Sequence, residues 1–86
     1  MPVRYRYVLD CTVAEEVLTA PQRQREQFIK VFRHLADDPF QRGESFFRDS
    51  SSREIQKRLF GQWLVSFWPD HAVKEMRVVG IQRATR

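Results

Sequence analysis

Arginine is the side chain of this sequence best suited to chemistry, and it is concentrated in the second half of the chain. The 86 residues include 15 Lys and Arg against 11 Asp and Glu, a net charge of +4, and twelve of the fifteen are Arg. Residues 1–40 hold six basic and six acidic groups, whereas residues 41–86 hold nine basic and five acidic groups. The planar guanidinium forms paired hydrogen bonds with phosphate or carboxylate. The excess charge indicates a surface for nucleic acid or for an acidic partner, or an ordinary solubilising surface.

Histidine and cysteine offer fewer possibilities for catalysis. His71 follows Asp70 in a predicted turn, and histidine is the side chain that changes charge near neutral pH. It could transfer protons if the fold brought it to a substrate, although most turn histidines are exposed and have no such role. His34 is interpreted as a helix-surface residue. The single Cys11 cannot form an intramolecular disulfide, and two histidines do not make a zinc site, so we expect no metal and no cofactor.

The first half of the chain predicts one strand and two helices. Residues 4–10 alternate, with Tyr5, Tyr7 and Leu9 on one face of a strand. Thr12 and Glu15 have the spacing of a capping box, which predicts a short helix through Leu18. A second helix is expected from Pro21 to about Asp37.

The second helix has two contrasting faces. Its apolar stripe, expected in the core, contains Phe28, Val31, Phe32 and Leu35. The basic residues off that stripe indicate a solvated face or a contact with RNA; they are Arg23, Arg25, Lys30 and Arg33.

The second half changes to the two-residue period of strands. After a polar loop over residues 40–52, three strands are predicted at about residues 53–60, 62–68 and 73–82. Gly61 marks the first hairpin turn, and residues 69–71 mark the second. The order β-α-α-β-β-β predicts a two-layer α+β domain over residues 1–86, with a mainly antiparallel sheet packed against two helices. The other face of the sheet is free to carry the basic surface.

The two tryptophans have opposite parity on their strand. Trp63 shares a face with Val65 and Phe67 and is expected in the core. Trp68 faces the other way, where it could stack on a base, contact a partner helix, or cap the core.

Membrane insertion and secretion are not expected. No apolar run approaches the roughly 20 residues of a membrane span, and the first seven residues lack the apolar segment of a signal peptide. We therefore expect a cytoplasmic protein that does not associate with membranes.

One stretch resembles a known family. Residues 53–68, REIQKRLFGQWLVSFW, are followed by Asp70 in a turn and by residues 76–83, MRVVGIQR. The pattern of basic strand, glycine, aromatic strand, acidic turn and final valine-rich strand ending in arginine is similar to that of the RelE/ParE toxin superfamily. The resemblance implies a bacterial toxin that a cognate antitoxin neutralises. One branch of the family cleaves mRNA on the ribosome, and another inhibits DNA gyrase.

The resemblance assigns site residues one at a time. Arg83 matches the strand-terminal arginine of the family. Arg58 and Lys57 lie on opposite faces of their strand, so only one of them can point at a bound phosphate. Arg58 is preferred because Lys57 shares its face with Ile55 and Leu59. Arg53 and Arg77 could extend the basic patch, with Lys57 and Trp68 in RNA or partner binding. Trp63 stands where ribonuclease members usually have arginine, and no Tyr or His follows Arg83.

The predicted catalytic set is therefore incomplete unless His71 supplies the acid or base. Two hypotheses remain: an mRNA endoribonuclease using Arg58 and Arg83, and a gyrase inhibitor or catalytically inert binding protein of the same fold. The sequence predicts no particular oligomeric state.

Overall fold

The fold is a five-stranded mixed sheet covered on one face by two helices, in a computed structural model that describes residues 4–84. The elements, in chain order, are β1 (Arg6–Leu9), α1 (Cys11–Thr19), α2 (Gln22–Asp37), β2 (Ser45–Arg48), β3 (Glu54–Phe60), β4 (Trp63–Asp70) and β5 (Glu75–Arg83). The predicted α+β class is confirmed. Neither of these helices is long and apolar enough to cross a membrane.

The sheet has the strand order β1-β5-β4-β3-β2. Strands β2 to β5 form an antiparallel meander, whereas β1 pairs with β5 in parallel at one edge. Parallel pairing requires a crossover connection, which α1 and α2 supply.

The core lies between the helices and one face of the sheet. Each helix contributes a buried stripe: Val13 and Val17 from α1, and Phe28, Phe32, Leu35 and Ala36 from α2. The sheet contributes Val65, Phe67, Met76 and Val78. Trp63 packs against this cluster, as its parity predicts, and its ring meets Phe28 edge-on at 4.9 Å.

The predicted loop over residues 40–52 contains an additional strand. Residues Ser45–Arg48 form β2, which pairs with β3 at the edge of the sheet. All four residues are exposed, Phe46 and Phe47 included, so the segment has no alternation by which sequence could reveal a strand. Its hydrogen bonds to β3 create the strand, and these arise only after the chain has folded.

Two predicted boundaries are wrong for local reasons. Residues Pro69 and Asp70 belong to β4, and the turn spans residues 71–74 with Lys74 at φ 55°. Pro69 pairs with Met76 of β5, whereas the pairing with β3 ends at Phe67. Proline therefore stands where β4 has a neighbouring strand on one side only, a position at which proline is tolerated. Helix α1 begins at Cys11 after Asp10, which places Thr12 inside the first turn, so the predicted capping box does not form.

The connection from α2 to β2 lies tightly against β3. A Cβ added to Gly43 would stand 2.1 Å from the carbonyl oxygen of Lys57, and the Gly43 amide donates to Gln56 Oε1 at 2.9 Å. The Glu44 carboxylate accepts a hydrogen bond from the Leu59 amide at 3.0 Å. Glycine is therefore required at position 43 by close approach of two backbones.

We predict that Gly43→Ala lowers the free energy of unfolding by more than about 1 kcal/mol, because the methyl group forces the connection away from β3. Gly61→Asn is the matched control: Gly61 has φ +60°, which asparagine tolerates, and open space around its Cα. The control should change the free energy by less than about 0.5 kcal/mol. Urea denaturation of both variants measures the difference, and equal stability of Gly43→Ala and wild type would contradict it.

Candidate functional site

The pairing register divides the predicted site residues between the two faces of the sheet. Arg58 lies opposite Val65 and Arg83 opposite Trp63, so both arginines share the face that the helices cover. Lys57 lies opposite Ser66, and Trp68 opposite Arg77, so these three are on the open face. Arg58 and Lys57 thus point to opposite faces, as their parity predicts. The expectation that the free face carries the basic surface is wrong for Arg58 and Arg83, because the register aligns them with the core residues Val65 and Trp63.

A cleft on the helix-covered face lies between α2 and the β3–β4 turn. Its volume is about 690 Å³, within the range of roughly 300–1,000 Å³ that is usual for ligand sites. Helix α2 and the residue before it provide one wall, and the hairpin and the end of β5 provide the other. The lining residues are Pro21, Arg23, Gln24, Gln27, Val31, Phe60, Gly61, Gln62, Trp63 and Arg83.

Arg83 is positioned in this cleft by an aromatic ring and an amide. Its Cζ lies 5.0 Å from the centre of the Trp63 ring, and its Nη1 donates to Gln62 Oε1 at 3.1 Å. Because Trp63 is packed against Phe28 in the core, the ring is a fixed support for an exposed guanidinium. A group held in this way loses little side-chain entropy when an anion binds.

Arg58 has a similar setting one strand away from Trp63. Its Cζ lies 5.2 Å from the centre of the Phe60 ring, and Phe60 is the direct cross-strand partner of Trp63. Its Nη1 donates to Gln41 Oε1. Strand spacing and rise place the Cα atoms of Arg58 and Arg83 roughly 12 Å apart, a separation that two long side chains can close around one phosphate. The structure therefore brings together these two predicted residues.

His71 lies elsewhere. It follows the end of β4, whereas Arg83 pairs with the first residue of that strand, and eight residues of strand span about 25 Å. Its Nδ1 is within hydrogen-bond distance of the Tyr5 hydroxyl at 2.7 Å, and its ring stacks on Phe40 at 4.8 Å. The fold does not bring His71 to the cleft that contains Arg83.

The open face carries a second cationic group centred on Trp68. The Arg53 guanidinium lies 3.9 Å from the centre of the Trp68 ring, and the Arg77 guanidinium 6.0 Å. Glu75 bridges Arg77 and Arg6, with nitrogen–oxygen distances of 3.1 Å to each. Trp68 thus lies on the opposite side of the sheet from the helix-packed core. Phe47 extends this surface with Lys57 Nζ 5.0 Å from its ring centre.

The β2–β3 turn holds Arg53 in place. Asp49 Oδ1 accepts hydrogen bonds from the amides of Arg53 and Ser51, each at 2.9 Å. The bond from the Arg53 amide is the main cause that lowers the pKa of Asp49 below its ordinary value. The ionised carboxylate therefore stabilises the turn from which Arg53 reaches Trp68.

Several residues around the cleft were not identified from sequence as site residues. Arg23 lies on the basic helix face that the sequence interprets as solvated or as a contact with RNA, and Gln41 lies in a predicted loop. Phe60 and Gln62 gained their roles from the hairpin that brings them beside the arginines. The glycine turn between Phe60 and Trp63 was the available signal, because residues flanking a tight hairpin turn become neighbours across the strands.

Comparison with known proteins gives matches at the level of structure. No sequence-family model matches the chain, and the curated proteins contain no match to it. The RelBE2 toxin–antitoxin complex of Mycobacterium tuberculosis has a chain with TM-score 0.74 and 13 % identity, covering 94 % of this chain and 99 % of that one.

Two further solved structures agree with this result. The archaeal RelE–RelB complex of Pyrococcus horikoshii OT3 gives a TM-score of 0.73 at 14 % identity, with 98 % and 99 % coverage. The isolated Escherichia coli RelE toxin gives a TM-score of 0.70 at 15 % identity, and the match covers 95 % of this chain and 86 % of that chain. The expected resemblance is confirmed in structure, and the chain has the fold of the RelE toxins.

Proposed function

We propose that this protein is the toxin of a bacterial toxin–antitoxin module and that it inhibits translation by cleaving mRNA on the ribosome. The observation that carries the proposal is the placement of two arginines over the rings of the cross-strand partners Phe60 and Trp63, beside a cleft of ligand size. The fold supports it, because the neighbours are RelE toxins.

The chemistry of RNA cleavage explains why two fixed cations matter. Attack of the 2′-hydroxyl oxygen on phosphorus gives a five-coordinate phosphorane with additional negative charge on its non-bridging oxygens. Guanidinium groups already oriented toward those oxygens stabilise the transition state more than the substrate, and one such donor contributes about 10²–10³ in rate. Arg58 and Arg83 are the groups we assign to this role, while Phe60 and Trp63 hold them in place.

The open face of the sheet is the surface that we assign to the antitoxin. Arg53, Lys57, Trp68 and Arg77 provide cations around aromatic rings on a side of the sheet that the helices leave uncovered. An acidic, amphipathic helix complements both properties. Two of the structural neighbours are complexes of a RelE protein with a RelB partner, which supports an antitoxin as the partner.

A second candidate function is binding without cleavage, as in a gyrase-directed toxin. The lining of the cleft, as far as residues 4–84 describe it, consists of arginine, glutamine, glycine, proline, valine and aromatic residues. Such a lining binds anions well and contains no side chain that readily transfers protons near neutral pH. This observation favours the second candidate, and the following experiment separates the two.

We predict that Arg83→Ala and Arg58→Ala each reduce mRNA cleavage by about 10²–10³-fold and relieve growth arrest, because each removes a cation from the transition state. Arg4→Ala is the matched control: it removes the same charge from an exposed ion pair with Asp37 and should leave cleavage unchanged. Induced expression with sequencing of mRNA ends measures the effect.

The same cultures test the alternative. DNA supercoiling and the SOS response are recorded beside mRNA cleavage. Growth arrest with intact mRNA and relaxed or broken DNA would establish the gyrase-directed function. Cleavage at the wild-type rate by the double variant Arg58→Ala plus Arg83→Ala would contradict the assignment of these two residues to the site.

We further predict that Trp68→Ala weakens binding of the antitoxin by about 10–100-fold, because truncation of a central aromatic residue typically costs more than 1 kcal/mol at an interface. The binding partner to test is an acidic, helix-rich protein encoded beside this one. Calorimetric titration measures the affinity, and Trp68→Ala should cleave mRNA at the wild-type rate. Unchanged affinity in Trp68→Ala, combined with loss in a variant of the cleft, would place the partner on the other face.

A further inference from the structure

A second polar side chain, that of His34, lies against the same Phe60 ring as Arg58. The ring centre of His34 is 5.8 Å from that of Phe60, at an interplanar angle of 76°, and the Arg58 guanidinium lies 5.2 Å from the same centre. We propose that His34 is the general acid of this site, which protonates the leaving 5′-oxygen when the RNA chain is cut. The proposal rests on the proposed ribonuclease function and gives it the proton donor that the cleft lining lacks.

The position of His34 in the fold suits this role. It lies in the last turn of α2, three residues after Val31, which lines the cleft. Positions three apart on a helix lie on one face, so His34 continues the wall that Gln27 and Val31 form. The residue is exposed, and its imidazole can therefore take up a proton from solvent between turnovers.

Gln41 links His34 and Arg58 through opposite ends of one amide. Its Nε2 donates to the carbonyl oxygens of His34 at 3.3 Å and Asp38 at 2.9 Å, while its Oε1 accepts from Arg58 Nη1. Carbonyls only accept and a guanidinium only donates, so a single orientation of the amide satisfies both sides. The end of α2 and the Arg58 side chain are consequently held in one geometry.

The proposed step balances as follows. The 2′-oxygen forms a bond to phosphorus and gives its proton to water, and the bond from phosphorus to the 5′-oxygen breaks. The protonated His34 imidazole transfers its N–H proton to that 5′-oxygen. The products are a 2′,3′-cyclic phosphate and a 5′-hydroxyl, and the neutral imidazole regains a proton from solvent. Arg58 and Arg83 stay charged throughout and bind the non-bridging oxygens.

The test compares two leaving groups on ribosomes programmed with a short mRNA. In one mRNA the scissile phosphate has its natural 5′-oxygen, and in the other a sulfur atom replaces that oxygen. A thiolate leaves without protonation, so the sulfur substrate does not need a general acid. We expect His34→Gln to cleave the oxygen substrate about 10²–10⁴-fold more slowly than the wild type and to cleave the sulfur substrate at nearly the wild-type rate.

Two variants serve as controls. His71→Gln makes the same substitution at the far end of β4 and should retain the full rate on both substrates. Arg83→Ala should lose activity on both substrates, because the phosphorane needs its charge stabilised whichever atom leaves. Recovery of His34→Gln on sulfur also shows that this variant is folded.

Four outcomes would overturn the assignment, and they lead to three different conclusions. If His34→Gln cleaves both substrates more slowly by the same factor, His34 has a structural role and not a role in proton transfer. Full activity of His34→Gln on the oxygen substrate would assign the proton transfer to another group. The same conclusion would follow if His71→Gln cleaved the oxygen substrate slowly and the sulfur substrate at the wild-type rate. A wild-type protein that cleaves neither substrate removes the proposed ribonuclease function itself, and the role of His34 with it.

Discussion

The packing of α2 on the sheet is the interaction on which the rest of the structure depends. Phe28 and Phe32 are buried in this contact, and their rings meet Trp63 and Tyr7 of the sheet. The contact fixes the rotation of α2 about its axis. That rotation directs Gln27 and Val31 to the cleft and His34 to Phe60. A change in the helix stripe would therefore alter the candidate site without touching a residue of the site.

Strand alternation turns one basic stretch into two separate surfaces. Lys57 and Arg58 are adjacent in sequence, yet one lies on the open face and the other on the helix-covered face. The first surface is a broad array of cations and rings suited to a partner, and the second is a concave site suited to a phosphate. The two roles that we propose, cleavage of RNA and binding of an antitoxin, thus belong to opposite sides of a thin sheet.

The sequence predicts the elements of this fold that have a regular hydrophobic period, and it does not predict those that lack one. The α2 stripe and the Val65–Phe67 alternation were recognised because each element buries one face. Strand β2 was missed because its four residues are all exposed, and the His71 turn was misplaced because Pro69 imitates a turn signal within a strand. The resemblance to the toxin superfamily predicts Arg58 and Arg83 as site residues. Gln41 and His34 were not selected, because their contacts connect residues distant in the chain.

The sequence alone determined the layer architecture, the alternation of residues along β1, β3 and β4, and the concentration of arginine in the second half. These properties follow from local periodicity and composition, which need no knowledge of distant contacts. Only the tertiary structure decided which cations share a site, because register and the rotation of α2 set distances between strands and helix. It brought Arg58 and Arg83 to the rings of the cross-strand partners Phe60 and Trp63, and it left His71 at the other end of β4. It also placed His34 against the same Phe60 ring as Arg58.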